Sequence, residues 1–491
     1  VERSRIAAHK QEKAAMAKKI AMIGAGSVVF CKTLMADIMA TPALEGSEFA
    51  LMSRTEPKLR AMEQFGKKML KDNGVKGSVW ATLDRREALK DADFVVVMIQ
   101  VGGVEAFEMD WKIPLKYKVD QCVGDTMGPG GVFRAMRTIP ALLDIAKDMQ
   151  ELSRPGAIML QYSNPMAGNC LALGKATDIS FVGLCHGVQT TIEQIAQFID
   201  VPKEEIQYTC GGINHMDWFL TLTRNGEDLY PRLAAAIEKP AIYKSEKVRG
   251  EVFRHFGYFM TETTGHLAEY VPWFRKSKAA LDMYCDEPGF GGESGAYYNW
   301  CSKVAKKYEG KNQLDAESTK LEARSVEYCS YIMEAVATGT PFKFMGNVRN
   351  DGYIDNLPAD CCVEVPTFAD DTGLHPVRVG RLPTQCAALC MTNVNVQLLA
   401  GDAALNGDTE ALVQAVAMDP LTSAVCTLKE IREMTSEMFE AEKRWLPQFK
   451  GKKIAPRPAV NIPAGTRAIE LAQDPAQAIL KRFMALTADG K

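Results

Sequence analysis

Apolar and polar positions along this chain alternate between short buried runs and amphipathic stretches. Residues 18–23 (KKIAMI) form an apolar run that breaks at Gly24-Ala25-Gly26-Ser27. An apolar-rich helical stretch follows from Val28 to about Met39. A second strand, EFALM, spans 48–52, and charged helical sequence spans 56–72. Residues 91–100 (DADFVVVMIQ) are a continuous apolar run between polar ends, the pattern of a central parallel strand covered on both faces. A helix is predicted over 133–153, and strands over 156–165 and 179–187. Strands alternating with helices predict a doubly wound sheet.

After about residue 205 the rhythm changes. QYTCGGINHMDWFLTLTRNG (207–226) reads as a hairpin, and residues 342–373 as antiparallel strands with Asn/Gly turns. Helical sequence dominates 383–445. The expected organisation is an extension at 1–17, a Rossmann-like α/β domain at 18–205, a mixed α+β substrate and metal domain at 206–450, and a tail at 451–491.

Composition narrows the function. The 491 residues are 47% hydrophobic and 24% charged, an ordinary globular balance. A net charge of -3 favours neither nucleic acid nor an anionic membrane, so a small-molecule partner is expected. No apolar run approaches the ~20 residues that span a bilayer. The stretch from Val1 to Lys19 is basic and polar, without the apolar centre of a signal peptide. The 13 cysteines are scattered, without a disulfide rhythm. Together these predict a reducing, cytoplasmic setting with free thiols.

Gly24-x-Gly26 follows a strand and opens a helix, the context a dinucleotide loop requires. The glycines let the backbone approach a pyrophosphate, and the helix N-terminus favours its charge. Ser27 completes the turn, and Gln100 ends a strand at the carboxyl edge of the sheet, where cofactors sit. A third glycine would fall at position 29, which is Val29. The second strand ends in Ser53-Arg54 instead of the acidic residue that holds a ribose 2'-hydroxyl. A small hydroxyl followed by arginine suits a 2'-phosphate, so NAD and NADP both stay open. On these residues alone, a dehydrogenase and a non-catalytic nucleotide sensor also stay open.

Longer motifs are more specific. They are MIGAGS (22–27), DADFVVVMIQVGG (91–103), GDTMGPGGVFRAMRTIP (124–140), LQYSNPMAGN (160–169), VGLCHGVQ (182–189), GGINHM (211–216), HLAEYVPWF (266–274), GNVRNDGYIDNLPADCCVEVP (346–366) and TNVNVQLL (392–399). In these segments, from about Lys18 to Pro447, the chain resembles glycoside hydrolase family 4, the NAD- and metal-dependent glycosidases. Its likeness is greatest to the melibiase-type α-galactosidases. The resemblance implies a lactate/malate dehydrogenase-like architecture and assembly as a homodimer or homotetramer. It also implies a redox-assisted elimination and addition, an exception to the two-carboxylate route. A hydride leaves carbon 3 of the sugar for NAD+, the proton on carbon 2 is acidified and removed, the glycosidic oxygen departs, water adds and the hydride returns.

The same resemblance assigns candidate residues. Cys185 and His215 match metal ligands, with Mn2+ the usual ion and positions left open for sugar hydroxyls. His186 matches the acid that protonates the leaving group; support of the metal is its plainer role. Asp125 matches a carboxylate of the sugar pocket that holds a hydroxyl or shares the acid role, and Asn164 a residue meeting sugar and metal. Tyr270 is the first candidate for the carbon 2 base, with His266 and Glu262 as alternatives. Asn347 and Arg349, with Asn350 and Asp351, match residues lining the sugar. An α-galactoside, an α-glucoside and an α-galacturonide all remain open as substrates, and the absence of a phosphate-binding cluster favours an unphosphorylated one.

Overall fold

Six parallel strands set the frame: β1 (Lys19–Ile23), β2 (Glu48–Met52), β3 (Ser78–Thr82), β4 (Phe94–Val97), β5 (Ile158–Gln161) and β6 (Ser180–Gly183). They lie in the order β3-β2-β1-β4-β5-β6, the order of a dinucleotide-binding Rossmann sheet. All four residues of β4 are buried, as a central strand covered on both faces must be. Helices α1 (Val28–Met39), α2 (Glu56–Asn73) and α3 (Gly128–Leu152) supply much of that cover. This structure, a computed structural model, describes residues 17–309, 314, 317–469 and 475–488; most of the expected 1–17 extension lies outside them.

The sheet does not stop at the expected boundary. Beyond β6 it continues through antiparallel strands β7 (Gln207–Ile213), β8 (Met216–Arg224), β9 (Glu227–Asp228), β10 (Phe342–Arg349), β11 (Cys362–Asp370) and β12 (Gly373–Pro376). The whole is a 12-stranded sheet, joined where Asn347 of β10 pairs with Gly183 of β6. That pairing ties the second half of the chain to the carboxyl end of the parallel half, where cofactor chemistry takes place. One compact unit therefore runs through Ile454, and a second begins at Ala455.

Two departures from the sequence reading have local causes. The helix expected from residue 133 begins at Gly128, because its glycines allow close backbone approach instead of breaking it. A side-chain carbon at Gly131 would lie 2.3 Å from the Thr126 carbonyl carbon, and one at Gly130 2.7 Å from the Asp110 oxygen. In the second unit, where the sequence suggests no element, Pro475–Ala488 is helical, with Ile479, Leu480, Phe483 and Met484 exposed. Among the described residues no helix is long and apolar enough to cross a membrane.

Candidate active site

A cavity of about 510 Å³ opens at the carboxyl end of the parallel strands. The dinucleotide loop reaches it through Ser27, the end of β4 through Met98, Ile99 and Gln100, and the segment after β6 through Cys185 and His186. A wider hollow of about 770 Å³ beside Thr221, Asp228 and Arg254 carries no comparable set of ligating atoms among the described residues.

Three of the lining side chains could together hold a metal ion. Sγ of Cys185, a ring nitrogen of His215 and a carboxylate oxygen of Glu262 all lie within 4.8 Å of one another. Cys185 stands between β6 and helix α4 (Gly187–Ile199). His215 occupies the two-residue turn between β7 and β8, at φ 64. Glu262 follows a short segment bridged to β8 through Met260 and Trp218, and sits at φ 80. Left-handed backbone at two non-glycine residues is uncommon and costs roughly 1–3 kcal/mol each, a cost held at functional sites by the surrounding structure.

The electrostatics fit a cation. Burial lowers the His215 imidazole to about 4, so it is neutral at neutral pH and has a lone pair to offer. Burial, with Glu364 and Glu262 nearby, pushes the Cys185 thiol well above its ordinary range, so only a contacting cation would make it a thiolate. Burial opposes the Glu262 charge, but His215 and His266 hold that carboxyl well below the usual range. Glu262, for which the sequence offers only the role of a base, stands here as a candidate third ligand. Its spacing from the other two carries no motif, so only the fold reveals the set.

Behind these ligands, helix α5 (Thr264–Tyr270) ties the site together. His266 directs Nδ1 to Glu262 at 3.0 Å, while its Nε2 has no protein partner. Burial alone would lower this imidazole, yet the hydrogen bond and charge of Glu262 raise it to about 9. Glu269 accepts from the backbone N–H of Val123 at 2.5 Å and of Gly124 at 3.0 Å, anchoring the loop that carries Asp125. Tyr270 is fully buried and outside the cavity lining, with its hydroxyl 3.1 Å from Nδ1 of His215. The sequence reading named neither the anchor role of Glu269 nor this place for Tyr270.

Asp125 lines the opposite part of the loop. Thr126 donates to one carboxylate oxygen at 2.7 Å and Asn164 to the other at 2.9 Å. Burial works against its charge, but Arg134 and His266 keep the carboxyl below its ordinary range, so it is ionised at neutral pH. His186 is half-exposed at the cavity, its Nδ1 3.3 Å from Glu327, whose hydrogen bond raises the imidazole.

The dinucleotide loop is tight. Gly24 adopts φ +99, and a side-chain carbon there would meet the Met98 carbonyl oxygen at 2.4 Å. A carbon at Gly26 would lie 2.8 Å from Oγ of Ser53, which is buried beneath the loop. Arg54 is exposed beside it. Two expected sugar-lining residues lie elsewhere. Asn347 is fully buried, donating to the Gly183 carbonyl at 3.4 Å, and Arg349 is turned outward to the Gly174 carbonyl and Asp351. Both side chains leave the same face of β10, towards Gly183 and Gly174, and they differ because Asn347 lies within the buried run of the strand and Arg349 at its exposed end.

Residues 19–201 match the model described as Family 4 glycosyl hydrolase, and residues 210–422 that of the Family 4 glycosyl hydrolase C-terminal domain. An alpha-galactosidase of Rhizobium meliloti is 42% identical over 438 residues, 88% of this chain and 89% of that protein. An alpha-galactosidase of Bacillus subtilis is 40% identical over 443 residues, 88% of this chain and all of that protein (100%). A 6-phospho-beta glucosidase structure from Thermotoga maritima, with manganese, NAD+ and glucose-6-phosphate, has a TM-score of 0.72 at 18% identity. The match covers 89% of this chain and 100% of that one, and at this identity it speaks to the fold alone. The Rossmann frame and both halves of the site thus lie within matched sequence, and the chain belongs to family 4 of the glycoside hydrolases.

Proposed function

We propose that this glycosidase cleaves an unphosphorylated α-galactoside, using a nicotinamide dinucleotide at the 24–27 loop and a divalent cation, Mn2+, at Cys185, His215 and Glu262. The convergence of those three side chains in a cavity reached by Ser27 carries the reading. The two α-galactosidases at 42% and 40% identity support the sugar class. Residues 18–205 would hold the dinucleotide, and residues 206–450 would complete the metal and sugar side.

Bound there, the dinucleotide would supply reversible hydride transfer at carbon 3 and the cation would polarise the neighbouring sugar oxygens. The protein's own groups divide the remaining work. His266 is the best-placed group to take the carbon 2 proton, with Nδ1 held by Glu262 and Nε2 free of protein partners at the cavity wall, and it can do so once a cation bound at Glu262 offsets the carboxylate charge that otherwise keeps the imidazole protonated. Tyr270 positions His215 through the Nδ1 contact. Glu327 raises the His186 imidazole and so favours its protonated form, which a donor to a departing oxygen needs. Asp125, ionised and already accepting from Thr126 and Asn164, orients sugar hydroxyls and is not the acid.

Nitrophenyl α-galactoside is the direct assay. Nitrophenol release should need both Mn2+ and a dinucleotide, and reduced dinucleotide should not accumulate. Accumulation of reduced cofactor with the glycoside left intact would identify a dehydrogenase instead.

A further inference from the structure

Helix α3 carries two buried arginines, three residues apart, with opposite fates. Arg137 is consumed by the structure: it donates to both oxygens of Asp110, at 2.8 and 2.7 Å, and pairs with Glu442. Arg134 is 6% exposed and lines the cavity, yet its Nε and one terminal nitrogen have no hydrogen-bond partner. Among the described residues its ion-pair partner is Asp125, at 3.7 Å, beyond hydrogen-bond reach. Native interiors rarely leave donors of a charged group unspent, because each such omission removes a large share of a domain's net stability.

The side chain is also held in place. Its guanidinium lies over the Phe107 ring, 5.2 Å from the centroid, and Phe107 meets Tyr297 edge-on at 5.6 Å. Tyr297 lines the same cavity, together with Trp300 and Asn164. Tyr297 and Trp300 stack at 5.9 Å with 14° between their planes. A fixed cationic fork beside aromatic faces suits a sugar ring, whose edge presents oxygens and whose face presents C–H groups.

Charge decides which sugar. The carboxylate of Asp125 already balances Arg134, so a ligand oxygen need bring no charge of its own. We propose that Arg134 is a specificity-determining residue that donates its free N–H groups to hydroxyl oxygens of an uncharged hexose, with Asp125 beside it as charge balance. This rests on the glycosidase reading and sharpens it: a galactoside fits, whereas the carboxylate of a galacturonide or a sugar phosphate adds an unbalanced anion.

The test compares wild type, Arg134→Gln and Arg134→Lys in two ways. The first is KM and kcat on nitrophenyl α-galactoside and α-galacturonide with Mn2+ and NAD+. The second is calorimetric binding of galactose, which needs no turnover. Arg134→Gln should raise KM and the galactose Kd by about ten- to a hundredfold, the effect of losing a charged donor. Dinucleotide affinity and Tm should stay near wild type. Arg134→Lys, a point charge without the planar fork, should fall between the two and serves if the Gln variant does not fold. Wild type should prefer the galactoside. The proposal is overturned if KM and galactose Kd in Arg134→Gln stay within twofold of wild type. It is also overturned if wild type prefers the galacturonide, or if dinucleotide affinity falls as far as galactose affinity. Wild type that cleaves no glycoside but binds galactose through Arg134 would sink the hydrolytic reading and leave this one standing.

Discussion

Replacing Tyr270 by Phe separates two roles for a residue that the sequence singles out as a base. The ring is fully buried, outside the cavity lining, and its hydroxyl lies 3.1 Å from Nδ1 of His215. Phe keeps the packing and removes that contact, together with the hydroxyl's hydrogen bond to Thr126. The lost hydrogen bond is worth roughly 1 kcal/mol, and the buried ring nitrogen left without a partner costs about 1–3 kcal/mol. Removing a group that orients a metal ligand typically weakens the metal by about 10–100-fold, in agreement with those energies. Titrating Mn2+ into the nitrophenyl assay reads this directly. The half-saturating Mn2+ concentration should rise by that factor, and saturating Mn2+ should bring kcat back to within severalfold of wild type. A base would behave otherwise, since losing general base catalysis costs about 10²–10⁴ in rate whatever the metal concentration. A rate that stays a thousandfold down at saturating Mn2+, with unchanged Mn2+ affinity, would refute the positioning role and return Tyr270 to the base.

Glu262→Gln should weaken Mn2+ binding by two orders of magnitude or more in a calorimetric titration; affinity within threefold of wild type would leave Cys185 and His215 as the only protein ligands. Gly24→Ala forces a side-chain carbon to 2.4 Å from the Met98 oxygen at φ +99. Strain of about 1–2 kcal/mol from the backbone alone should lower dinucleotide affinity at least tenfold, and unchanged fluorescence titrations would contradict the loop assignment. Glu269→Gln should cut kcat/KM and lower Tm together, because its carboxylate accepts two backbone N–H groups of the Asp125 loop; a variant with normal rate and Tm would show that the loop holds without it. Arg54→Ala should cost binding of NADP more than NAD, by about one to two powers of ten if Arg54 meets a 2'-phosphate; equal losses would make it a bystander.

The parallel half of the fold is legible because its signals are local. An apolar run ending in Gly24-x-Gly26 specifies a strand, a turn and helix α1 between Lys19 and Met39, and the structure follows it closely. β3 is less legible: SVWAT follows Gly77 but has a mixed burial pattern and no continuous apolar run. The candidate metal site was partly readable. Cys185 and His215 come together as the resemblance implies, but Glu262 reaches them only through the segment bridged to β8. Arg349 and Asn347 show the opposite failure. They lie within a recognisable motif, yet Asn347 is buried where β10 joins β6 and Arg349 is exposed at the end of the strand, and neither place can be read without the sheet's register. Arg134 and Arg137 are alike in sequence, and only the positions of Asp110 and Glu442 show which one is spent.

The central claim is that bond cleavage here passes through loss of the carbon 2 proton, removed by a side chain of this cavity on a sugar activated by dinucleotide and metal. Running the hydrolysis of nitrophenyl α-galactoside in D2O and examining the released galactose by mass spectrometry and NMR tests it most directly. Deuterium should appear at carbon 2, and the reaction should stop when Mn2+ or the dinucleotide is removed. Full release of nitrophenol with only hydrogen at carbon 2 would contradict the account.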